Sequence, residues 1–338
     1  MNRRRFLGAT AGALAIGSSQ APIIAAQIHA DDRIRIVTGL RATLQSLGWI
    51  GTEAGIFKRL GLEVAFPRLE TGGPEAAAGL IRGDWEFAET GSSPLIQGVL
   101  DGRDTVILLT PTAPSPTGFS LLLARPGITE PAQLDGKRIG VLTETGQTTI
   151  GVRVALRRWG VNATLVPLGT FGRIYAAVGA GEVDAGALPL DYRFLGPREF
   201  KLNAIEAPST GFSSAAVGCT RRLVAANRSL VARLVQGYVE AVHFFKTRRG
   251  EVIPLLQRFL MFKDRGAVEE AYDFYAPLFQ PSPRPAAVGV QKLLSELALK
   301  QPAAASLSVD SVVDLSFLDE LERTGFVRNL YGSQLPER

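Results

Sequence analysis

Cysteine and histidine are almost missing from this sequence of 338 residues, which contains only Cys219, His29 and His243 of these types. A single cysteine excludes an intrachain disulfide and a cysteine-based zinc site. With two histidines, the chain has few residues that could provide an imidazole as a base or metal ligand. No motif of a serine hydrolase, zinc protease or nucleotide-binding loop occurs in its proper context. We therefore expect no catalytic residues, no metal site and no cofactor.

An excess of charge of one sign is also nearly missing. The chain carries 37 lysine and arginine residues against 32 aspartate and glutamate residues, a formal net charge of +5. Arg3, Arg4 and Arg5 supply three of these charges, and they lie in a segment that we interpret as a cleaved leader. Because the remaining excess is small and no basic block is interleaved with aromatic residues, we expect no nucleic-acid partner.

Residues 1–30 have the organisation of an export signal. Three arginines followed by Phe6 and Leu7 precede a short apolar run, and small residues collect around Ala26 and Ala30. This order is typical of a secretory signal, and paired arginines before Phe-Leu resemble the twin-arginine type. A disordered basic tail is the alternative. We predict cleavage near Ala26 or Ala30 and a periplasmic location, since no later run is long and apolar enough to span a bilayer.

The rest of the chain repeats one order of elements: strand, loop, helix, glycine, strand, helix, glycine, strand. Apolar runs predict the strands, helical spacing predicts the helices, and glycines predict the helix ends. The six strands are predicted at Arg33–Val37, Leu62–Phe66, Trp85–Ala88, Arg138–Leu142, Thr164–Leu168 and Val183–Ala187. Strands separated by helices form βαβ units, which favours two α/β lobes with parallel sheets. One larger doubly wound sheet is the alternative.

Two further apolar runs connect the halves. Phe119–Ala124 predicts a strand that leaves the first lobe, and Ser213–Cys219 predicts a strand on which the chain returns. Two crossings make a hinge, and a hinge between two lobes makes a cleft. We expect lobe 1 to comprise residues 31–120 and 215–338, including C-terminal helices after Asn227, and lobe 2 to comprise residues 121–214.

The candidate ligand-binding residues follow the carboxyl ends of the predicted strands, where open α/β sheets bind ligands. Two of these loops lead into predicted helix N-termini, at Ser93–Pro94 and Gly146–Thr148, whose free N–H groups suit an anion or a polar oxygen. Arg41 could add a positive charge for an anion, and Asp191 could hold a cationic group. Plain helix capping and surface exposure are the alternatives. The candidates are Arg41, Thr90, Gly91, Ser92, Ser93, Thr145, Gly146, Gln147, Thr148, Pro189 and Asp191.

Four segments spread over most of the chain after the leader have the order and spacing of a known family. Trp49–Phe57 resembles an early run that ends in Glu-x-Gly-x-Phe, and Leu60–Val64 resembles a Gly-Leu-x-Val strand. Leu134–Val141 resembles a Leu-x-Gly-Lys-x-hydrophobic-Gly-Val segment, and Ala180–Ala185 resembles Gly-x-Val-Asp-Ala. Together they resemble the periplasmic substrate-binding proteins of sulfonate, nitrate and taurine importers and their relatives that bind thiamine pyrimidine precursors.

The resemblance implies a type II periplasmic-binding fold, in which two α/β lobes are joined by a two-crossover hinge and hold a ligand between them. It implies that the loops at Thr90–Ser93 and Thr145–Thr148 line the ligand-binding cleft. The sequence departs from the family pattern at two places: Leu47 stands where the family often has proline, and Gly83–Phe87 only approximates the family motif. These departures affect the identity of the implied ligand more than the implied fold. Because members bind sulfonates, inorganic anions, pyrimidines and aromatic acids, a small anionic or heteroaromatic ligand is implied.

The resemblance also implies the function. We expect a monomer that captures a small-molecule ligand and docks on the membrane permease of an ABC importer. An enzyme on the same fold, of the pyrimidine-synthesis or aromatic-acid-decarboxylation type, is one alternative, and the scarcity of histidine and cysteine argues against it. A periplasmic sensor subunit is another, and sequence does not separate sensing from transport.

Overall fold

The described residues form two five-stranded sheets joined by two crossings of the chain. The computed structural model describes residues 32–69, 71–113, 117–212 and 215–332, of which residues 117–120 are described by their backbone alone. The predicted leader, residues 1–30, lies outside these ranges. We call the part of the molecule built on each sheet a lobe.

The two sheets have equivalent strand orders. The first is ordered β2-β1-β3-β10-β4 and the second β7-β6-β8-β5-β9. The strands are β1 (Asp32–Thr38), β2 (Leu62–Ala65), β3 (Phe87–Thr90), β4 (Thr105–Leu109), β5 (Thr117–Ala124), β6 (Arg138–Val141), β7 (Thr164–Pro167), β8 (Ala185–Pro189), β9 (Asn203–Pro208) and β10 (Ala216–Thr220).

Neither sheet is wholly parallel, which differs from the parallel sheets that the βαβ pattern predicts. In each sheet four strands run in one direction, and the strand contributed by a crossing of the chain runs antiparallel between two of them. Strand β10 is antiparallel to β3 and β4 in the first sheet, and β5 is antiparallel to β8 and β9 in the second. The crossing strand enters its sheet from the other lobe, so its direction is reversed.

Fifteen α-helices cover the two sheets within the described residues. They are α1 (Leu47–Glu53), α2 (Ile56–Arg59), α3 (Gly73–Arg82), α4 (Ser92–Leu100), α5 (Gln147–Trp159), α6 (Phe171–Gly179), α7 (Tyr192–Phe200), α8 (Arg221–Ala226), α9 (Arg228–Thr247), α10 (Arg249–Leu260), α11 (Arg265–Tyr275), α12 (Ala287–Ala298), α13 (Val309–Val312), α14 (Ser316–Arg323) and α15 (Phe326–Tyr331). Short 3-10 turns occupy Thr43–Gln45, Pro131–Leu134 and Pro302–Ser306.

The long helix α9 shows how the C-terminal region attaches to the first lobe. Leu234, Tyr238 and Val242 recur at helical spacing and are fully buried. The side chain of Asn227 accepts a hydrogen bond from the backbone N–H of Leu230 at 3.1 Å and so caps the N-terminus of α9, where the sequence predicts the C-terminal helices to begin. None of the described helices combines the length and the apolar character that a membrane span requires.

Candidate ligand-binding cleft

A small cavity lies between the lobes at the carboxyl ends of their parallel strands. It has a volume of about 60 Å³, and we call it the central cavity. The first lobe and the C-terminal helices line it with Leu40, Ala42, Leu44, Gln45, Gly73, Pro74, Thr90, Gly91, Pro94, Ala215 and Tyr275. The second lobe lines it with Leu142, Gly146, Gln147, Thr148, Phe171, Pro189 and Leu190. No charged side chain is among these lining residues.

Three helices point their N-termini at this cavity, and each follows a glycine. The residues that precede α3, α4 and α5 are Gly72, Gly91 and Gly146, and none of them has a side chain that could cap the helix. Free N–H groups at helix N-termini carry partial positive charge and attract anions and polar oxygens. The cavity therefore has donors from both lobes without a formal cation.

Glycine at these positions also lets the two lobes approach closely. A Cβ atom on Gly91 would lie 2.8 Å from Cβ of Gln147, and one on Gly72 would lie 2.3 Å from Cδ2 of Leu142. Gly72 also has φ of 87°, a conformation that favours glycine. Both contacts join residues of different lobes, so the described state has the lobes in contact around the cavity.

Two hydroxyl groups beside the cavity are buried without a hydrogen-bond partner among the described residues. These are Oγ1 of Thr90, which is 0% exposed, and Oγ of Ser93, which is 2% exposed. An unpaired buried hydroxyl costs about 1–3 kcal/mol, and such groups in native proteins are usually satisfied by a water or a ligand. Thr90 lines the central cavity and Ser93 lines a neighbouring space that shares Pro94 with it, so a bound molecule could pair with both hydroxyls.

The side chain of Gln147 crosses from the second lobe to the N-terminus of α4. Its Oε1 accepts a hydrogen bond from the backbone N–H of Ser93 at 2.9 Å. An amide oxygen thus occupies one of the positions at which an uncapped helix holds an anion or polar oxygen. The contact joins the lobes directly through a residue that lines the cavity.

Asp191 makes a second connection between the lobes. Its Oδ1 accepts hydrogen bonds from the backbone N–H of Thr43 at 3.0 Å and from the Thr43 hydroxyl, and the Tyr275 hydroxyl donates to Oδ2 at 3.4 Å. Burial raises the pKa of this fully buried carboxyl, and the hydrogen bonds from Thr43 partly offset the rise. The group therefore holds Thr43 of the first lobe and Tyr275 of α11, and it does not line the central cavity.

Glu89, directly before Thr90, is a buried acid behind the cavity wall. Its Oε2 accepts a hydrogen bond from the backbone N–H of Gly48 at 3.2 Å, and burial raises its pKa to about 8. A Cβ atom on Gly48 would lie 2.9 Å from this oxygen and 2.7 Å from the Tyr238 hydroxyl oxygen, so glycine is needed for the approach. At neutral pH the carboxyl is mainly uncharged, and it puts little negative charge behind Thr90.

Two larger spaces adjoin the central cavity along the seam between the lobes. The first, about 290 Å³, lies between α3 and α5 and shares Pro74 and Pro94 with the central cavity; we call it the α3–α5 chamber. The second, about 340 Å³, shares Leu40 and Phe171 with the cavity and contains Arg41; we call it the Arg41 chamber.

The candidate residues named from the sequence fall into four places. Six of them line the central cavity: Thr90, Gly91, Gly146, Gln147, Thr148 and Pro189. Ser93 and Thr145 line the α3–α5 chamber, and Arg41 lines the Arg41 chamber, where its Nη1 contacts Sδ of Met261. Ser92 is the buried first residue of α4. The carboxyl group of Asp191 accepts hydrogen bonds from Thr43 and Tyr275.

Sequence reasoning missed several residues that shape the cavity. Gly73 and Pro74 start α3, and the loop before that helix was not among the candidates. Tyr275 ends α11, about 85 residues after the nearest predicted cleft residue, and no local signal marks it. Phe171 is buried at 7% exposure and also lines the cavity.

Within the described ranges no three side chains of histidine, cysteine, aspartate or glutamate come together where they could hold a metal ion. His243 packs edge-on against Tyr331, with ring centroids 4.8 Å apart, on the surface of α9 away from the cleft. Cys219 is fully buried in β10, and burial raises the pKa of its thiol. The polar groups at the cavity are therefore hydroxyls, amides and backbone N–H groups.

Solved structures with the same architecture define the class of fold. The alkanesulfonate-binding protein SsuA from Xanthomonas axonopodis pv. citri, bound to MOPS, aligns over 84% of this chain and 98% of its own, with TM-score 0.70 and 18% identity. The nitrate-binding protein NrtA from Synechocystis PCC 6803 aligns over 90% and 91%, with TM-score 0.70 and 11% identity. A Candida albicans gene product described as having the generic periplasmic binding protein fold aligns over 86% and 94%, with TM-score 0.64 and 16% identity. The expected periplasmic-binding fold is thus confirmed.

The family model described as NMT1/THI5 like matches residues 49–248, which is more than half of the chain. The chain therefore belongs to the NMT1/THI5-like family. This confirms the resemblance that the four sequence segments indicate. No curated protein sequence matches the chain.

Proposed function

We propose that this protein is an extracytoplasmic solute-binding protein that captures a small molecule between its lobes and delivers it to an ABC importer. The observation that carries the proposal is the central cavity, at which both lobes place helix N-termini that follow glycine residues. Two buried hydroxyls, those of Thr90 and Ser93, lie beside it without partners among the described residues. A ligand held from both sides stabilises the state in which the lobes are in contact, so capture and closure are coupled.

The structural relatives support a small anionic or heteroaromatic ligand. Two of them are named as alkanesulfonate-binding and nitrate-binding proteins. Helix N-termini and hydroxyls at the central cavity suit sulfonate, nitrate or carboxylate oxygens, and they equally suit the ring nitrogens and carbonyls of a pyrimidine. The ligand class proposed is therefore sulfonate, nitrate, taurine, pyrimidine or aromatic acid.

The proposal includes export by the twin-arginine route and function as a monomer. Replacing Arg3, Arg4 and Arg5 together by lysine keeps the charge of the leader and removes the arginine pair. We expect this variant to remain in the cytoplasm, as measured by fractionation of cells expressing wild type and variant. Periplasmic accumulation equal to that of wild type would contradict the twin-arginine route.

Reversible binding is favoured over catalysis by the chemistry of the cavity. Its polar groups are hydroxyls, amides and N–H groups, which bind oxygen atoms but supply no base that titrates near neutral pH. The buried acid Glu89 is separated from the cavity by the chain at Thr90 and does not line it. A ligand recovered from the protein with unchanged mass after long incubation would agree with binding, and a new mass would indicate an enzyme.

The experiment that tests the proposal is a thermal-shift screen of residues 31–338 against alkanesulfonates, taurine, nitrate, pyrimidines and aromatic carboxylates. A ligand present at a hundred times its Kd adds about 2.7 kcal/mol to the free energy of unfolding, which gives a clear rise in melting temperature. Stabilisation by one class would support the proposal and name the ligand. No stabilisation by any class would contradict it.

Binding is then assigned to the cavity with matched variants. Thr90→Val and Thr148→Ala remove hydroxyls that line it, and each should weaken binding by roughly tenfold with little change in stability. Thr110→Val is the control, because Thr110 is also buried, its hydroxyl has no partner among the described residues, and it does not line the cavity. Equal affinity in all three variants would place the ligand elsewhere.

A further inference from the structure

The central cavity is too small for most solutes. Its volume is about 60 Å³, whereas small-molecule sites usually have about 300–1,000 Å³. The α3–α5 chamber adds about 290 Å³, and Pro74 and Pro94 line both this chamber and the cavity. Any solute larger than a few atoms must therefore extend from the cavity into a neighbouring chamber.

The walls of the α3–α5 chamber are apolar. Ala77, Ala78 and Ile81 of α3 line it from the first lobe, and Ile150 of α5 lines it from the second. Leu299, at the end of α12, also lines it and is 67% exposed, an unusual exposure for leucine. Burying such surface against an apolar part of a ligand is favourable.

The charges around the chamber are balanced, and some of them are paired. Three acidic and three basic residues line it, so they carry no net charge. Arg157 of α5 forms an ion pair with Glu296 of α12, and the Gln97 side chain donates a hydrogen bond to Asp101 at 2.8 Å. The chamber therefore has no unbalanced charge that a charged ligand group would satisfy.

The Arg41 chamber differs in this respect. It presents Arg41, Lys263 and Glu199, and the Tyr175 hydroxyl donates a hydrogen bond to Glu199 at 3.0 Å. The three charged residues of the Arg41 chamber sum to +1, whereas the six charged residues of the α3–α5 chamber sum to zero. Of the two neighbouring spaces, the α3–α5 chamber is the one suited to an uncharged group.

The N-terminus of α4 borders both the central cavity and the α3–α5 chamber. Thr90 lines the first and Ser93 lines the second, and each has a buried hydroxyl without a partner in the described part of the chain. A polar group placed at this helix end can thus have the rest of its molecule in the chamber.

We propose that the α3–α5 chamber is a subsite for an uncharged aliphatic or aryl part of the solute, whose polar end binds at Thr90 and Ser93. This rests on the proposed function and narrows it to elongated solutes with one polar end. Because α3 belongs to one lobe and α5 to the other, filling the chamber also favours lobe contact.

The test is a calorimetric titration of two homologous series, the straight-chain alkanesulfonates and the straight-chain carboxamides, each from one to eight carbons. In the series whose polar end binds, affinity should rise by up to about fourfold per methylene group. Ala78→Trp places a large ring in the chamber from a half-buried position and should abolish this rise, while the shortest members bind as they do to wild type. Ala225→Trp, on an exposed face of α8 remote from the chamber, is the control and should behave as wild type.

A second variant keeps the test independent of how well Ala78→Trp folds. Ile81→Ala removes part of the apolar wall and should reduce the rise per methylene without weakening the shortest members. The inference is overturned by affinity that does not depend on chain length, by a rise that persists in both variants, or by binding confined to molecules the size of nitrate. No binding in either series or in the earlier screen would overturn the proposed function instead.

Discussion

Glu89 lies in an environment that a carboxyl group rarely occupies. A carboxyl group is rarely fully buried without a charged partner, because burial penalises its ionised form. Here the carboxyl accepts a hydrogen bond from the Gly48 backbone and lies beside the Tyr238 hydroxyl, and its pKa rises from an ordinary value near 4.5 to about 8. The protonated form leaves the Thr90 side of the cavity without a negative charge nearby.

This shift predicts a pH dependence of stability. The folded state holds the Glu89 proton more tightly than the unfolded chain does, so its contribution to the free energy of unfolding is complete below about pH 4.5. The contribution is lost as the pH rises to about 8, by up to a few kcal/mol. Glu89→Gln carries no titrating proton, so its stability should fall less over this window. Urea unfolding from pH 4.5 to 8.5 measures the difference.

The control for this measurement is Glu251→Gln, since Glu251 is exposed on α10. Its curve should run parallel to that of wild type. If Glu89→Gln also runs parallel to wild type, the carboxyl is ionised in the folded protein and our account of its burial is wrong.

The helices show how local sequence sets the ends of elements. Helix α5 ends at Gly160, which has φ of 65°, and α3 ends at Gly83, which has φ of 86°. The backbone N–H groups of these glycines return to carbonyl oxygens of the last turn, the usual arrangement at a helix C-terminus. At the N-termini the pattern reverses: glycines precede α3, α4 and α5 and offer no side chain as a cap, and the cavity lies at these helix ends. At α4 it is the Gln147 side chain of the other lobe that accepts the Ser93 N–H.

Gly160→Ala should destabilise the protein by about 1 kcal/mol, because alanine adopts the left-handed conformation at a cost of this size. Gly172→Ala is the matched change: Gly172 lies in the first turn of α6 without a left-handed conformation, and a Cβ there meets no atom within 4 Å. That variant should be neutral or more stable by up to about 1 kcal/mol. Chemical denaturation of the pair tests the account, and equal effects of the two substitutions would refute it.

At the scale of the whole molecule, several contacts hold the lobes together, and they include the ion pairs of Arg198 in α7 with Asp264 and Glu270. Gln147 reaches the N-terminus of α4, Asp191 holds Thr43, and Arg157 of α5 pairs with Glu296 of α12. The contacts of Gln147 and Asp191 are buried or line the cavity, while the ion pair of Arg157 is half-exposed and contributes little by itself. The Gln147 and Asp191 contacts thus join the lobes at or beside the central cavity.

Gly91→Ala should shift the molecule towards separated lobes. The backbone of Gly91 has φ of −77°, which alanine adopts freely, so the only obstacle is Cβ of Gln147, at 2.8 Å. We expect a larger radius of gyration in solution scattering and roughly tenfold weaker ligand binding, with stability little changed. Gly250→Ala, where a Cβ would meet no atom within 4 Å, should leave both quantities unchanged. A Gly91→Ala variant that matches this control would show that the lobes do not need this close approach.

Much of the fold was predictable because its signals are local. The strands at Arg33–Val37 and Arg138–Leu142 correspond to β1 and β6, and the Gly83 and Gly160 helix ends are confirmed. The sequence patterns predict no strand at the positions of β4 and β9. Each lies at an edge of its sheet in the structure, and the repeated order of three strands per half has no place for a fourth.

The sequence by itself determined the two-lobed α/β architecture and the loops at Thr90–Gly91 and Gly146–Thr148, since apolar periodicity and glycine placement depend on neighbours along the chain. Only the tertiary structure decided which polar groups face the cavity. Asp191, a candidate ligand contact by its position after a strand, is instead satisfied by Thr43 and Tyr275, which are distant in sequence. Tyr275 reaches the cleft because α11 packs across both lobes, and the α3–α5 chamber exists because two helices from different lobes meet. Such contacts follow from how the lobes pack against each other, which no local pattern encodes.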